Sequence, residues 1–402
     1  MENPSQTPGW RDLGLSEPLL ELIQKAGFET PTPVQAQSIP EALQNRDLIV
    51  SAQTGTGKTA AFVFPIIERV KGRGGTLALV LAPSREIALQ TQAAFEQFGT
   101  PLGIRSICLI GGTPLRTDEA ALRDYPTVIV ATPGRLCDHL ERGNVWIEFL
   151  EMLVLDEADR MLEMGFAVQL NRILQETPSS RQTLLFSATL PPNVEKLANK
   201  VLYDPVRIRI GSASRAAITV EQTFIFMEEA NKIRELERLL DHERGTVIIF
   251  VRSKDGAARL GRTLRNRGFR DATQLHSDLE QSARERALQD FKDGRYGVLI
   301  ATDVVGRGIH VDNVAHVVNY DLPREAADYI HRIGRTGRAD STGKATTFVT
   351  PRDRVNYKKI EDVAGKNIKR IDRQGNGRKP GSKPTPAASQ KTEKRPTIQP
   401  KK

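Results

Sequence analysis

The sequence predicts two tandem α/β domains, each a parallel sheet flanked by helices, followed by a disordered basic tail. Three observations carry that expectation. Short apolar, β-branched runs recur between helical patterns, as strands buried on both faces do. The alternation is too long for one sheet of usual size and resets near residue 215. After about Asp372 periodicity stops, and Pro, Lys, Gln, Ser and Gly dominate. A chain of 402 residues has room for two cores.

In the first half the expected strands are Asp47–Ser51, Thr76–Leu81, Ser106–Ile110, Thr127–Ala131, Met152–Leu155 and Thr183–Phe186. In the second half they are Gln222–Phe226, Thr246–Val251, Val298–Ala301, His316–Val318 and Lys344–Val349. Helix faces lie between them, as with Ile233, Leu236, Leu239 and Leu240. The small, polar stretch Ile210–Ala217 separates the two series. The expected division is an N-terminal segment at 1–36, a first domain at 37–211, a linker at 212–218, a second domain at 219–372 and the tail at 373–402. No self-similar repeat of 20–50 residues is present.

Charge is placed unevenly. The chain carries +9, of which the segment from Arg373 to Lys402 holds +8, leaving about +1 for the rest. A polycationic tail suits a polyanion such as nucleic acid, although a solvated, solubilising tail reads the same way. Aromatics make up only 5%, so base stacking is not expected as a major device. Cys108 and Cys137 sit alone in apolar settings, which makes neither a disulfide framework nor a zinc site and fits a reducing cytoplasm. The N-terminus lacks the pattern of a signal peptide, and no apolar run nears 18 residues, so no membrane association is expected.

The chemistry begins at Ala52–Thr59, AQTGTGKT, directly after an expected strand and before a helical pattern. In that context it is a phosphate loop: Gly55 and Gly57 let backbone N–H groups turn toward phosphate, and the next helix aims its positive end there. Ala52, Gln53, Thr54, Gly55, Thr56, Gly57, Lys58 and Thr59 form the expected nucleotide cradle, with Lys58 on the β and γ phosphates and Thr59 on magnesium. Asp156-Glu157-Ala158-Asp159 follows the apolar run MLVL. Asp156 suits the magnesium-bound phosphates, and Glu157 can orient or deprotonate the attacking water. His139, His242 and His316 have no metal-ligand spacing and read as ordinary packing or surface residues.

At this point the chain resembles the DEAD-box RNA helicases. GFETPTPVQ (Gly27–Gln35) resembles their adenine-sensing segment, which implies Phe28 against the base and Gln35 on its edge; Trp10 is similar to an upstream aromatic of the family, or is plain core. PSREIALQ (Pro83–Gln90), Gly111-Gly112 and TPGR (Thr132–Arg135) resemble segments that hold RNA. They imply Pro83, Arg85, Gly111, Gly112, Thr132, Pro133, Gly134 and Arg135 as contacts. SAT (Ser187, Ala188, Thr189), with Asp159 and His331, is implied to couple nucleotide state to strand separation. In the second half IIFVRSK, LHSDLEQSARER, ATDVVGRGIHV and HRIGRTGR continue the match in the family's order. They imply Arg252 and Thr302 on RNA, Asp303 and His310 on the nucleotide, and Arg335 and Arg338 at the γ-phosphate, the latter as an arginine finger. The resemblance spans roughly residues 10–365 and implies tandem RecA-like domains. Departures are Ser84 for Thr, Ser277 for Gly, Val305-Gly306 for two alanines, His310 for Asp and Asp340 for Gly.

The implied function is an ATP-dependent RNA helicase, using ATP and magnesium, that locally opens short duplexes or remodels RNA–protein complexes. Single-stranded RNA and short duplexes are the expected partners, ribosomal and mRNA-decay complexes the candidate settings, and a monomer the expected state. An ATP-gated RNA clamp or annealing factor is the rival reading. A nucleotide kinase or GTPase is disfavoured, because no NKxD base-reading tetrapeptide is present.

Overall fold

A computed structural model describes residues 8–53, 55–210, 220–269, 271–276, 278–303, 314–337, 343–365 and 368–373. Thr54, Ser277, Val305, Gly306, His310, Arg338, Asp340, the expected linker 212–218 and the tail from 374 lie outside the described residues.

The described residues form two seven-stranded sheets whose strand pairs all run parallel. The first contains β1 (Leu48–Ala52), β2 (Ala78–Leu81), β3 (Ser106–Leu109), β4 (Val128–Ala131), β5 (Met152–Leu155), β6 (Gln182–Ser187) and β7 (Val206–Ile210). Their order across the sheet is β3-β4-β2-β5-β6-β1-β7. The second contains β8 (Val220–Phe226), β9 (Val247–Val251), β10 (Ala272–Leu275), β11 (Val298–Thr302), β12 (His316–Asn319), β13 (Gly343–Val349) and β14 (Ile368–Asp372). Their order is β10-β11-β9-β12-β13-β8-β14.

Helices cover both faces. In the first unit they are α1 (Glu17–Lys25), α2 (Pro33–Leu43), α3 (Lys58–Val70), α4 (Arg85–Phe98), α5 (Leu115–Arg123), α6 (Pro133–Glu141), α7 (Ala158–Glu163), α8 (Ala167–Glu176) and α9 (Pro192–Val201). In the second they are α10 (Lys232–His242), α11 (Lys254–Asn266), α12 (Gln281–Lys292), α13 (Ala326–Ile333) and α14 (Arg354–Ala364). Alternate strand residues feed separate cores. Val50, Val80, Val130 and Val154 pack on one face, and Ile49, Leu79, Leu81, Ile129, Leu153 and Leu155 on the other. With both faces buried, inner strands read as unbroken apolar runs.

Three strands escape the sequence reading: β7 (VRIRI), β10 (ATQL) and β14 (IKRID). All three are edge strands. An edge strand lacks a neighbour on one side and carries polar residues that discourage further pairing, so its composition resembles a loop. Among the described residues no helix is long and apolar enough to cross a membrane.

Candidate nucleotide and RNA site

Strand order sorts the candidate residues into two halves of one sheet edge. In a parallel α/β sheet, ligands sit beyond the carboxyl ends of the strands. β5, β6 and β1 are neighbours, so Asp156-Glu157, Ser187–Thr189 and the phosphate loop emerge side by side. β3, β4 and β2 are neighbours too, and from their ends come Gly111-Gly112, Thr132–Arg135 and Pro83–Arg85.

On the nucleotide half, Gly55 and Gly57 take φ values of +85° and +90°, where a side chain would be strained. α3 starts directly at Lys58. Lys58 is buried, and its ammonium donates to the Ala52 carbonyl at 2.8 Å. The Thr56 hydroxyl donates to the Gln53 carbonyl at 2.8 Å. Pro33 at the first turn and Thr32 at the N-cap begin α2, and Gln35 completes the cap by accepting from Thr32 N at 2.8 Å. The other end of the Gln35 amide donates to the Gly57 carbonyl at 3.1 Å, tying this segment to the phosphate loop. Each end keeps a second hydrogen-bonding position, so the amide can also meet a base edge. Phe28 is half exposed and stacks on Phe98, while Trp10 is buried edge-on to Phe64. Trp10 is therefore core that backs the aromatic face.

Asp156 ends β5 fully buried, with Oδ1 lacking a hydrogen-bond partner among the described residues. Burial first, then the charge of Glu157, pushes its carboxyl up to about 7, while Lys58 pulls it down. An unsatisfied carboxylate oxygen beside a phosphate loop, with Thr59 at the start of α3, suits a hard cation such as magnesium. Glu157 has φ +51°, rare for a residue with a side chain, and its carboxylate lies 3.4 Å from the buried Arg160 guanidinium. Asp159 accepts from both the backbone N–H and the hydroxyl of Thr189, at 2.9 and 2.8 Å. The Ser187 hydroxyl accepts from Asp159 N at 3.2 Å and donates to the Thr189 carbonyl at 2.7 Å. The four-residue acidic segment and the SAT segment are thus one network, with Ala188 half-buried between Ser187 and Thr189.

On the other half, Ser84 caps α4, accepting from Ile87 N, so the Ser-for-Thr departure keeps the cap. Pro83, Thr132 and Pro133 are buried, and Gly134 is half-buried. The Arg85 guanidinium lies against Gly111 and Gly112: a Cβ built on Gly112 would sit 2.5 Å from its Nη1. Burial, then the charges of Arg284 and Arg135, hold the Arg85 pKa below its usual value, against the opposite pull of Glu86. Two further guanidinium groups are held nearby, one on Glu86, the next residue after Arg85, and one on the Thr113 carbonyl, next to Gly112. Arg284 comes from α12 of the second sheet unit and makes a buried ion pair with Glu86. Arg135 is buried, its guanidinium on Asp118 and the Thr113 carbonyl.

In the second unit Thr302 is buried at the end of β11. Asp303 follows it and pairs with Arg332, whose Nη1 also donates to Asn319 and to the Asp321 carbonyl. Arg335 is buried and His331 half-buried beside that pair. Arg252 is exposed, with one nitrogen 3.2 Å from Asp353. Sequence reasoning missed Glu86, Asp118, His139, Arg160 and Arg284. Apart from Arg160, which faces Glu157 three residues away, their partners are distant in the chain, and only Glu86 and Arg284 fell inside quoted segments. His139 is fully buried, as a packing residue is, and its imidazole sits on Asp118.

A family model described as DEAD/DEAH box helicase matches residues 32–197, and one described as helicase conserved C-terminal domain matches 231–340. The chain is 41% identical to the DEAD-box ATP-dependent RNA helicase CshA of Geobacillus kaustophilus, over 90% of this chain and 78% of that one. It superposes on S. cerevisiae Dbp5 bound to RNA and ADP BeF3 with a TM-score of 0.83, at 34% identity, covering 90% of this chain and 95% of that one. A point variant of Dbp5 bound to a variant of Gle1 and IP6 gives 0.71 at 33% identity, covering 90% and 94%.

Proposed function

The chain belongs to the DEAD-box ATP-dependent RNA helicases, and from that membership we propose that it grips single-stranded RNA across both domains, hydrolyses ATP between them and opens short duplexes locally. The observation that carries the reading is the Glu86–Arg284 pair, which joins the two domains beside the RNA candidates. The better match to the Dbp5 form bound to RNA and ADP BeF3 supports the same arrangement.

Lys58 exchanges the Ala52 carbonyl for phosphate oxygens when ATP enters, and the glycine turns supply backbone N–H groups. Asp156 and Thr59 would hold magnesium, which neutralises phosphate charge during transfer. Glu157 orients the attacking water, and Arg335 reaches the γ-phosphate from the second domain together with Arg338, the finger. Asp303 reaches the nucleotide through its place beside Arg332. Asp159 senses hydrolysis and passes it to Thr189. Because neither domain alone holds a complete site, ATP and RNA favour one closed state and each tightens the other. Ribosomal and mRNA-decay complexes are the candidate settings, and the chain acts as a monomer.

The test is displacement of a short labelled strand by the full chain with ATP, run beside an annealing assay. ATP-dependent displacement supports the reading. ATP-dependent annealing or retention without displacement would make the protein a clamp instead.

A further inference from the structure

We propose that Asp118 is a positioning residue: with His139 it holds Arg135 inside the first domain, shapes the Gly111–Thr113 loop, and leaves Arg85 as the cation offered to RNA phosphate. The inference rests on the RNA-binding reading above and deepens it.

The Asp118 carboxylate faces two nitrogen donors and one hydroxyl. Arg135 Nε donates to Oδ2 at 2.7 Å and His139 Nε2 lies 3.1 Å from the same oxygen. The Thr113 hydroxyl, which donates to the Ile110 carbonyl at 2.9 Å, is 3.3 Å from Oδ1. Arg135 continues the chain, since its Nη2 donates to the Thr113 carbonyl at 2.6 Å. One carboxylate on α5 thus ties the start of α6 to the loop that carries the double glycine. Asp118 and Arg135 are both under 10% exposed and His139 is fully buried. Toward a carboxylate, imidazole Nε2 must carry the hydrogen, and its Nδ1 has no partner among the described residues. The histidine is therefore oriented by Asp118 alone.

A guanidinium that grips phosphate must turn its donors outward. Arg135 turns Nε and Nη2 inward. Arg85 differs: it lies on the bare backbone of Gly111 and Gly112, is partly exposed, and makes no ion pair among the described residues. Of the three arginines, Glu86 balances Arg284 and Asp118 balances Arg135. That leaves one uncompensated cation, where a single phosphate fits.

Two explanations of Asp118 give opposite signs. As a mere negative charge near RNA it repels the backbone, so Asp118→Asn should tighten binding. As a positioning residue, its loss frees Arg135 and the loop, so Asp118→Asn should weaken binding by about tenfold. The probe is a labelled single-stranded oligouridine titrated with the full chain and ADP–beryllium fluoride, with melting curves alongside. The RNA concentration for half-maximal ATPase should rise by a similar factor, with kcat at saturating RNA nearly kept. The double variant Asp118→Asn/Arg135→Gln restores the net charge and removes the burden of a lone buried arginine. It should also bind weakly, and it decides the matter if the single variant does not fold. Wild-type or tighter binding by the variants overturns the proposal. A wild-type chain that bound no RNA would instead overturn the helicase reading itself.

Discussion

Arg284 of the second domain and Glu86 of the first, almost 200 residues apart in the chain, form a buried ion pair across the cleft. Glu86 directly follows Arg85, so the ion pair and the proposed RNA-binding cation share one helix start. On the reading proposed above, closure and RNA contact are thereby linked in space. Breaking a buried pair by removing one partner costs about 3–5 kcal/mol, but here only in the closed state. Glu86→Gln should therefore lower the mutual tightening of ATP and RNA while leaving each domain folded. ATP titrations with and without RNA check this. An unchanged ratio of the two affinities would mean that the pair does not report closure.

Lys58→Ala should abolish hydrolysis by removing the phosphate-binding ammonium. Glu157→Gln should keep ATP and RNA bound yet slow hydrolysis by about 10²-fold or more, the scale of a lost general base. Single-turnover hydrolysis with pre-bound RNA separates binding from chemistry. Wild-type turnover in Glu157→Gln would remove that carboxylate from the mechanism.

Gly112→Ala should weaken RNA binding by about tenfold. Its φ of +94° strains any side chain, and the new Cβ would meet Arg85 Nη1 at 2.5 Å. The added strain should also lower stability by about 1 kcal/mol. Binding isotherms and melting curves together decide whether Arg85 has moved.

The second domain should lose stability on mild acidification. His316 is buried on β12, with Nδ1 3.0 Å from Glu243 and Nε2 2.9 Å from the Thr346 hydroxyl. Burial lowers its pKa below 6.5, against the pull of Glu243. The folded chain then binds this proton less readily than the unfolded chain, so the contribution is present above about pH 6.5 and fades below it. Glu243 is also depressed: burial opposes this, but the Gly245 N–H, His316 and Lys344 outweigh it, and its share fades below about pH 4.5. Melting temperature should fall between pH 7.5 and 5.5 in wild type and fall less in His316→Gln. Parallel curves would assign the pH dependence elsewhere.

The segment 373–402 should act as a sequence-independent tether. Its deletion should weaken RNA binding and flatten the salt dependence, because fewer counterions are released. The ATPase rate at saturating RNA should survive. Equal salt slopes with and without the segment would refute the tether.

The sequence by itself determined the fold class and most strands, and it located the candidate motifs. Each depends on neighbours within a few residues: AQTGTGKT makes its own turns, MLVL hands Asp156 to the sheet edge, and buried strands announce themselves as apolar runs. The edge strands β7, β10 and β14 stayed hidden because polar residues interrupt their apolar runs. Only the tertiary structure decided which motifs stand together. One buried parallel strand looks much like another, and its partner is chosen by non-local pairing and by packing of the crossover helices. That choice put β5, β6 and β1 side by side under the nucleotide candidates and β3, β4 and β2 side by side under the RNA candidates. It also set Asp118 on Arg135 and Glu86 on Arg284, pairs that no spacing rule links, because buried charges find their partners in space and not along the chain.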